Sequence, residues 1–166
     1  KYKNEDKKTL YDIAKKDVEQ NLEKTIYEVA KSSNIAISRE DIDYLKDAFI
    51  RRGTIEIEDS DLEEVYEKIE IVYNQELDGH LMSSVSDVYG GITNNKIVGT
   101  YGHWSKYYWY NPIGKPTKNQ SSELFAHLFA TSMTSNKERE KVQREYFPET
   151  YLYFEEMIKE LKNEKE

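Results

Sequence analysis

Histidine and glutamate side chains provide the candidate metal ligands of this chain. Its three histidines are His80, His103 and His127. Glu76 lies four residues before His80 and Glu123 lies four residues before His127, so the members of each pair share one face if their segments are helical. Neutral imidazole and carboxylate oxygen are ligands that zinc accepts. The pattern predicts that His80, His103, Glu123 and His127 could converge on a divalent metal.

A purely structural role is the alternative for the same residues. A Glu–His pair at this spacing is often only a hydrogen-bonded pair on a helix surface. A glutamate in the first turn of a helix, as we expect for Glu123, also complements the positive end of the helix dipole. We therefore expect no cofactor, with zinc as the exception that these residue types permit.

The chain lacks the signature of the zinc peptidases, His-Glu-x-x-His. That signature needs two histidine ligands four residues apart and a general-base glutamate directly after the first. Glu76 stands where the first histidine would be, before His80, and Leu77 stands at the position of the base. A hydrolytic site would need another base, for which Asp78 and Asp87 are available. We therefore assign no catalytic residue and favour a non-catalytic role.

The composition indicates one domain that needs no disulfide. The chain has 166 residues, no cysteine and a net charge of -8. The lack of cysteine excludes disulfides and thiolate metal sites. The negative charge disfavours nucleic acids and anionic membranes as partners, and no apolar stretch approaches the roughly 20 residues of a membrane span. We expect a single domain over residues 1–166, with fraying at 1–8 and 162–166.

Apolar residues that recur every three or four positions predict helices over most of the chain. Ser38, with Asp41 in the capping-box position, and Pro148 are among the residues that mark where these helices begin. The predicted helices cover 9–31, 38 to about 52, 60–81, a segment that begins at Ser121 or Ser122, 136–146 and 148–161. The alternation over 54–58 predicts either one short strand or an extended connector.

The helical periodicity fails between Ser83 and Gln120. This segment holds five of the chain's seven glycines, and six of the ten residues from Tyr101 to Tyr110 are Tyr or Trp. A segment of this length inside a small domain is usually functional or disordered, and the aromatic content argues against disorder. We predict a long ordered loop, held by its rings against the flanking helices, that brings the three histidines together.

The aromatic rings of this loop have two interpretations. They either pack the loop onto the domain or bind a partner protein. The rings concerned are those of Trp104, Tyr107, Tyr108 and Trp109. Elsewhere in the loop, Asn94-Asn95 between Ile92 and Ile97 predicts a hairpin turn.

Together these patterns predict an α+β fold. The chain would form a mainly helical single domain of five to six helices, with a small β element and the long Gly/aromatic-rich loop. The β element would lie near residues 54–58 or 92–98.

Four short motifs follow one another in the second half of the chain. The first joins Ser86-Asp87, Gly90-Gly91, Thr93 and Lys96-Ile97, the second joins Gly102-His103 and Tyr108-Trp109, the third is Glu123-Leu124-Phe125-Ala126, and the fourth is Tyr146-Phe147-Pro148. This ordered series resembles the C-terminal region of phage minor head and head-morphogenesis proteins that contain a Mu F-like domain. The second motif here has one extra residue before the Trp. The resemblance covers about residues 60–162 and no Mu F-like portion, which fits a C-terminal segment of a longer protein.

The resemblance implies a phage or prophage head-associated domain that is structural or is a packaged accessory, and is not catalytic. Its partners would be other virion proteins, such as the portal or capsid protein, and neither a membrane nor nucleic acid. It would be located in the virion or in the cytoplasm of the bacterial host. Some proteins of this group resemble zincin-like metallopeptidases in which an E-x-FA helix supplies a metal ligand. Glu123 matches that ligand, and His80 matches part of the earlier motif.

Two other functions stay open. One is a divergent zincin-like, metal-dependent hydrolase or a phage-borne effector or toxin domain. The other is a protein-binding module that uses the aromatic loop. The first depends on a metal site among the histidines and glutamates, and the second depends on rings that are exposed to solvent.

Overall fold

Seven α-helices and one short 3₁₀ turn form the regular structure of residues 4–105 and 107–163, which are the residues described by the computed structural model. The helices are α1 (Asn4–Ser32), α2 (Arg39–Ile50), α3 (Ser60–Glu76), α4 (Ser83–Thr93), α5 (Asn119–Thr134), α6 (Lys137–Tyr146) and α7 (Pro148–Asn163). The 3₁₀ turn, His80–Met82, leads directly into α4. Of the ends that we expected to fray, residues 1–3 and 164–166 lie outside the described residues, whereas 4–8 and 162–163 are helical.

The described residues contain no strand, so the predicted α+β class is wrong and the fold is all-helical. Residues 54–58 are an extended connector between α2 and α3, and no neighbouring strand pairs with them. The predicted hairpin turn is also wrong, because Asn94 and Asn95 have positive φ angles of 53° and 62° and close α4 as a left-handed C-cap. The Ile97 N–H, which a hairpin would have paired, donates to Thr93 Oγ1 at 3.0 Å. The backbone hydrogen-bonding groups of this segment are therefore paired at the end of a helix and not between two strands.

α1 packs against all six other helices. Its buried side chains recur every three or four positions, which confirms the predicted apolar stripe. The stripe consists of Leu10, Ala14, Val18, Leu22, Ile26 and Val29, and Ala30 and Asp17 of the same helix are buried as well. Burial of a Leu or Ile side chain contributes roughly 1.5–3 kcal/mol, so this stripe is a main source of stability. Within the part of the chain that the structure describes, no helix is both long and apolar enough to span a membrane.

α4 lies inside the segment predicted to be a loop, and that part of the prediction is wrong. Ten of its 11 residues, all except Ser83, are buried. A short helical period is present beside the glycines, because three- and four-residue steps separate Val85, Val88, Tyr89 and Ile92. Gly91 is typical of a loop, but here it lets the Trp109 ring approach the helix closely. A Cβ at Gly91 would lie 3.3 Å from Trp109 Cε3. The glycines of α4 therefore serve packing.

The loop between α4 and α5 is ordered by contacts at both of its ends. Near its start, Lys96 Nζ donates to the carbonyl oxygens of Ala48, at 2.7 Å, and Arg51. Lys96 thereby caps the C-terminal end of α2. Near its end, Tyr110 and Pro116 form an isolated antiparallel bridge. These contacts fix the path of the loop over α4 without regular secondary structure.

A buried carboxylate joins α1 to α7. Asp17 accepts hydrogen bonds from the Thr150 backbone N–H at 2.9 Å and from the Thr150 hydroxyl at 2.6 Å. It also accepts the Glu149 N–H at 3.4 Å. These N–H groups belong to the first turn of α7, which begins at Pro148 as predicted. A negative charge at this position satisfies free donors and complements the helix dipole.

Candidate functional site

Asp87 is the centre of a cluster of polar side chains from α4, α5 and the loop between them. Its side chain is only 4% exposed. One carboxylate oxygen, Oδ1, lies 2.7 Å from His103 Nδ1 and accepts the His103 backbone N–H at 3.0 Å. The other oxygen, Oδ2, lies 3.0 Å from His127 Nε2. A single buried carboxylate therefore connects two imidazoles.

Glu123 and Tyr108 complete this cluster on the side of α5. Glu123 lies one helical turn before His127, and its Oε2 is 3.7 Å from His127 Nε2. The Tyr108 hydroxyl donates a hydrogen bond to Glu123 Oε1. The Tyr108 ring stacks on the His103 ring, with centroids 4.0 Å apart and planes 7° from parallel. The stack links the two halves of the cluster, because each of its rings contacts a different carboxylate.

The surroundings favour the ionised form of Asp87. Burial alone would raise the pKa of its carboxyl group, but hydrogen bonds from His127 and His103 outweigh burial and hold the pKa below the ordinary value of 3.8. The pKa of the Tyr108 phenol is raised, first by burial and then by its hydrogen bond to Glu123. Asp87 is therefore charged at neutral pH, and Tyr108 remains a hydrogen-bond donor.

The local sequence fixes the loop beside Asp87. The Gly99 N–H donates at 2.7 Å to the hydroxyl oxygen of Ser86, the residue before Asp87. A Cβ at Gly99 would lie 1.9 Å from the Leu77 carbonyl oxygen, so only glycine fits this close approach. The contact positions the loop so that His103, a few residues further on, reaches the carboxylate.

Gln143 of α6 braces the two helices that carry the cluster. Its buried side chain donates from Nε2 to Ser84 Oγ on α4, at 3.3 Å, and to the His127 carbonyl oxygen on α5, at 3.4 Å. Ser84 lies one turn before Asp87 on α4. The amide therefore sets the spacing of α4 and α5 next to the site.

His80 lies apart from the cluster, so the predicted meeting of three histidines does not occur. α3 ends at Glu76, and Gly79 has a positive φ of 93° that interrupts the helix before His80. Glu76 and His80 therefore do not share a helical face, and Glu76 instead accepts a hydrogen bond from the Tyr146 hydroxyl at 3.3 Å. The exposed His80 ring packs on Tyr101, with centroids 4.0 Å apart.

The structure brings together three of the four predicted metal ligands, His103, Glu123 and His127, but not His80. Asp87, which the sequence offered only as an alternative base, is the residue that the others surround. One ligand atom from each of Asp87, Glu123 and His127 lies within 4.8 Å of the others. Two carboxylates and an imidazole are a donor set that suits zinc, so these residues fit the ion that their types suggested.

The four aromatic residues assigned to packing or partner binding form two pairs. Trp109 is 2% exposed, and its Nε1 donates to Asn95 Oδ1 at 3.1 Å. Tyr108 belongs to the Asp87 cluster. Trp104 and Tyr107 are 60% and 53% exposed. The first pair packs the loop onto the domain, and the second pair is accessible from solvent.

No protein-family model, curated protein or solved structure matches this chain. A functional interpretation therefore depends on the geometry of the site and on the four short motifs. Three of these motifs meet at the cluster, because the first supplies Asp87, the second supplies His103 and Tyr108, and the third supplies Glu123.

The fourth motif packs on the side of α4 that is opposite Asp87. The ring centroids of Tyr146 and Phe147 each lie 6.1 Å from that of Tyr89, a fully buried residue of α4. All four motifs are therefore in contact with α4 or with the residues that surround it.

Proposed function

We propose that this chain is a phage or prophage head-associated accessory domain that binds another virion protein and does not catalyse a reaction. The proposal comes from the resemblance of its four motifs to phage minor head proteins. One observation supports it above the others, which is that the first motif forms most of α4 and the other three, distant in sequence, lie around this helix. Chance matches to short motifs would be expected to scatter over the structure, whereas motifs that define one structural unit should be neighbours.

Trp104 and Tyr107 are the candidate contacts for the virion partner. Exposed aromatic rings are enriched in protein interfaces, where a few of them supply much of the binding energy. The buried Trp109 anchors this loop to α4, so the exposed rings are presented on a fixed support and less entropy is lost on binding. The net charge of -8 favours a partner with a basic rim around the contact.

Incorporation into particles tests this proposal. We expect the protein to be detected by mass spectrometry in purified particles of the phage or induced prophage that encodes it. A Trp104→Ala/Tyr107→Ala variant should be incorporated at least roughly tenfold less, because loss of an interface anchor weakens binding by about 2 kcal/mol or more. Tyr27→Ala is the matched control, since it removes a ring of similar exposure, 56%, from α1.

Two outcomes would contradict the proposal in different ways. Purified particles that lack the protein, while the cell extract contains it, would reject the virion role. Normal incorporation of the loop variant would keep the role but reject the loop as the contact. Circular dichroism of each variant establishes that it is folded before the comparison is made.

Metal-dependent hydrolysis is a second candidate function, favoured by the convergence of Asp87, Glu123 and His127 on one point. A bound zinc ion would supply Lewis acidity and a water of lowered pKa. The assay is cleavage of a set of unstructured peptides by zinc-treated protein, read by mass spectrometry. Cleavage that is lost in Glu123→Gln and kept in His80→Ala would support this candidate, and the absence of cleavage would reject it.

A further inference from the structure

We infer that Asp87 Oδ2, Glu123 Oε2 and His127 Nε2 form a binding site for a divalent transition metal, with zinc as the preferred ion. His103 and Tyr108 are the positioning residues that hold the two carboxylates in place. The inference requires neither the virion role nor hydrolysis, and it depends only on the geometry of this cluster.

Two of the three separations between the ligand atoms are close to those around one ion. A tetrahedral zinc ion with bonds of about 2.0–2.2 Å separates its ligand atoms by roughly 3.3–3.6 Å. His127 Nε2 lies 3.0 Å from Asp87 Oδ2 and 3.7 Å from Glu123 Oε2, and these distances bracket the required one. All three residues place a ligand atom within 4.8 Å of the others.

Each carboxylate has one oxygen held by a neighbour and the other oxygen near His127. Asp87 Oδ1 is engaged by the His103 ring and backbone N–H. Asp87 Oδ2 is hydrogen-bonded to His127 Nε2, and a bound ion would replace that bond. Glu123 Oε1 accepts the Tyr108 hydroxyl, which leaves Oε2 beside the same nitrogen. Outer hydrogen bonds of this kind orient metal ligands in proteins. The repeated arrangement distinguishes this cluster from an incidental surface ion pair.

The cluster is reachable from solvent although its centre is buried. The side chains of His127 and Glu123 are 22% and 28% exposed, whereas that of Asp87 is 4% exposed. An ion can therefore enter from the side of α5. Three protein ligands leave a fourth tetrahedral position, which water or a group from a partner can occupy.

The donor atoms select the class of ion. One imidazole nitrogen with two carboxylate oxygens suits zinc, and the same set accepts cobalt(II). Magnesium and calcium prefer ligand sets made of oxygen alone, and the chain has no cysteine that would select a softer ion. Cobalt(II) can therefore replace zinc as a spectroscopic probe.

A metal-free alternative would use the same contacts. If His127 Nε2 carried a hydrogen, it could bridge Asp87 and Glu123 through hydrogen bonds without any metal. The two arrangements differ in what His127 Nε2 binds, which is a proton in one case and the ion in the other. Direct metal titration of the folded protein therefore separates them.

Zinc titration by calorimetry, on EDTA-treated protein purified without a metal-affinity tag, tests the inference. We expect saturable binding of one ion per chain and a rise in melting temperature that chelator reverses. Glu123→Gln and His127→Gln should each weaken zinc binding by roughly 100-fold, and Tyr108→Phe by about tenfold. His80→Ala is the matched control, because it removes a histidine outside the cluster, and it should bind zinc as the wild type does.

Cobalt(II) gives a readout on the unmodified chain, so the test does not depend on the folding of any variant. We expect the absorption bands of tetrahedral cobalt(II), with paramagnetic broadening of the His127 and His103 ring signals but not of His80. No saturable binding up to roughly 1 mM zinc, unchanged affinity in Glu123→Gln, or broadening at His80 alone would overturn the inference. None of these outcomes bears on incorporation into particles, so the two proposals can fail separately.

Discussion

α1 and α4 are both central helices, but the sequence reveals only the first. α1 has 29 residues with one buried stripe, and charged side chains cover much of its remaining surface. α4 has 11 residues, of which ten are buried. The apolar residues of α4 follow a helical period, but the stripe is only two turns long, and the adjacent Gly90 and Gly91 are typical of a loop. Because α4 carries Asp87, the centre of the candidate site lies where the sequence pattern is least informative.

The difference in burial between α1 and α4 implies that the two helices respond differently to substitution. On α1, tolerant and sensitive positions should alternate with the helical period. On α4, every position after Ser83 should be sensitive, because each side chain meets other parts of the protein.

The largest loss of stability is expected on substitution of Tyr89, a fully buried residue of α4. Its ring packs against Tyr73 and Phe147. Tyr89→Ala should therefore lower the free energy of unfolding by roughly 3–5 kcal/mol through the cavity it leaves, measured by urea denaturation. Tyr27→Ala on the exposed face of α1 should change it by less than about 0.5 kcal/mol. Equal effects of the two substitutions would mean that α4 is not a core helix.

A smaller loss is expected at Asp17, the buried polar position of α1. Asp17→Asn keeps the shape of the side chain but removes the charge that the first turn of α7 binds. Hydrogen bonds to charged groups contribute roughly 1.5–3 kcal/mol, and urea denaturation should show a decrease of that size. Glu28→Gln, an exposed charge removal on the same helix, is the control. A similar effect of both would show that Asp17 does not couple α1 to α7.

The fold could be predicted where a residue acts locally. The Ser38 capping box and the Pro148 helix start are confirmed. The capping box and its hydrogen bonds lie within three residues, and the helix start follows from the proline ring itself, which has no N–H to satisfy. The β element was wrong because alternation over 54–58 does not show whether a partner strand exists. Asn94 and Asn95 were misinterpreted because left-handed asparagines end helices as readily as they form hairpin turns.

Gly91→Ala tests why α4 contains glycine. Helix propensity alone favours alanine by about 1 kcal/mol. The new Cβ would, however, lie 3.3 Å from the Trp109 ring, which is buried and hydrogen-bonded to Asn95. Since overpacking destabilises by roughly 1–3 kcal/mol, we expect a net loss of about 1 kcal/mol by urea denaturation. Lys16→Ala on α1 should have almost no effect, and a gain in stability for Gly91→Ala would show that Trp109 is free to move.

The candidate site could be predicted only in part, for a related reason. Glu123 and His127 were identified because their four-residue spacing lies within one helix, α5. The role of Asp87 depends on contacts among α4, the loop and α5, and no local spacing encodes those contacts. A charged residue within an otherwise uncharged segment, Ser83–Thr93, was the available signal. His80 was wrongly grouped with the site because Gly79 ends the helical register before it.

The smallest effects are expected on the pKa values of two lysine side chains, one beside α1 and one just after α4. Lys46 contacts Glu23 of α1 and Asp43. Burial alone would lower the pKa of its ammonium group, but these hydrogen bonds outweigh burial and raise the pKa above 10.5. The pKa of Lys96 is lowered below 10.5, mainly by burial and also by the charge of Arg51.

An NMR titration of the lysine side chains should therefore give a midpoint above 10.5 for Lys46 and below 10.5 for Lys96. The raised pKa of Lys46 stabilises the fold below the unfolded-state pKa, and this contribution is lost as the pH rises through the folded value. Lys96 acts in the opposite sense, because stability increases as the pH rises from its folded value to its unfolded value. Roughly 0.5 M salt should move the titration midpoint of Lys46 towards 10.5, because screening weakens ion pairs. The same salt should leave the midpoint of Lys96 nearly unchanged, because salt does not screen the effect of burial. If salt moved both midpoints equally, the surroundings of α4 would be as solvated as those of α1 and the contrast between the two helices would fail.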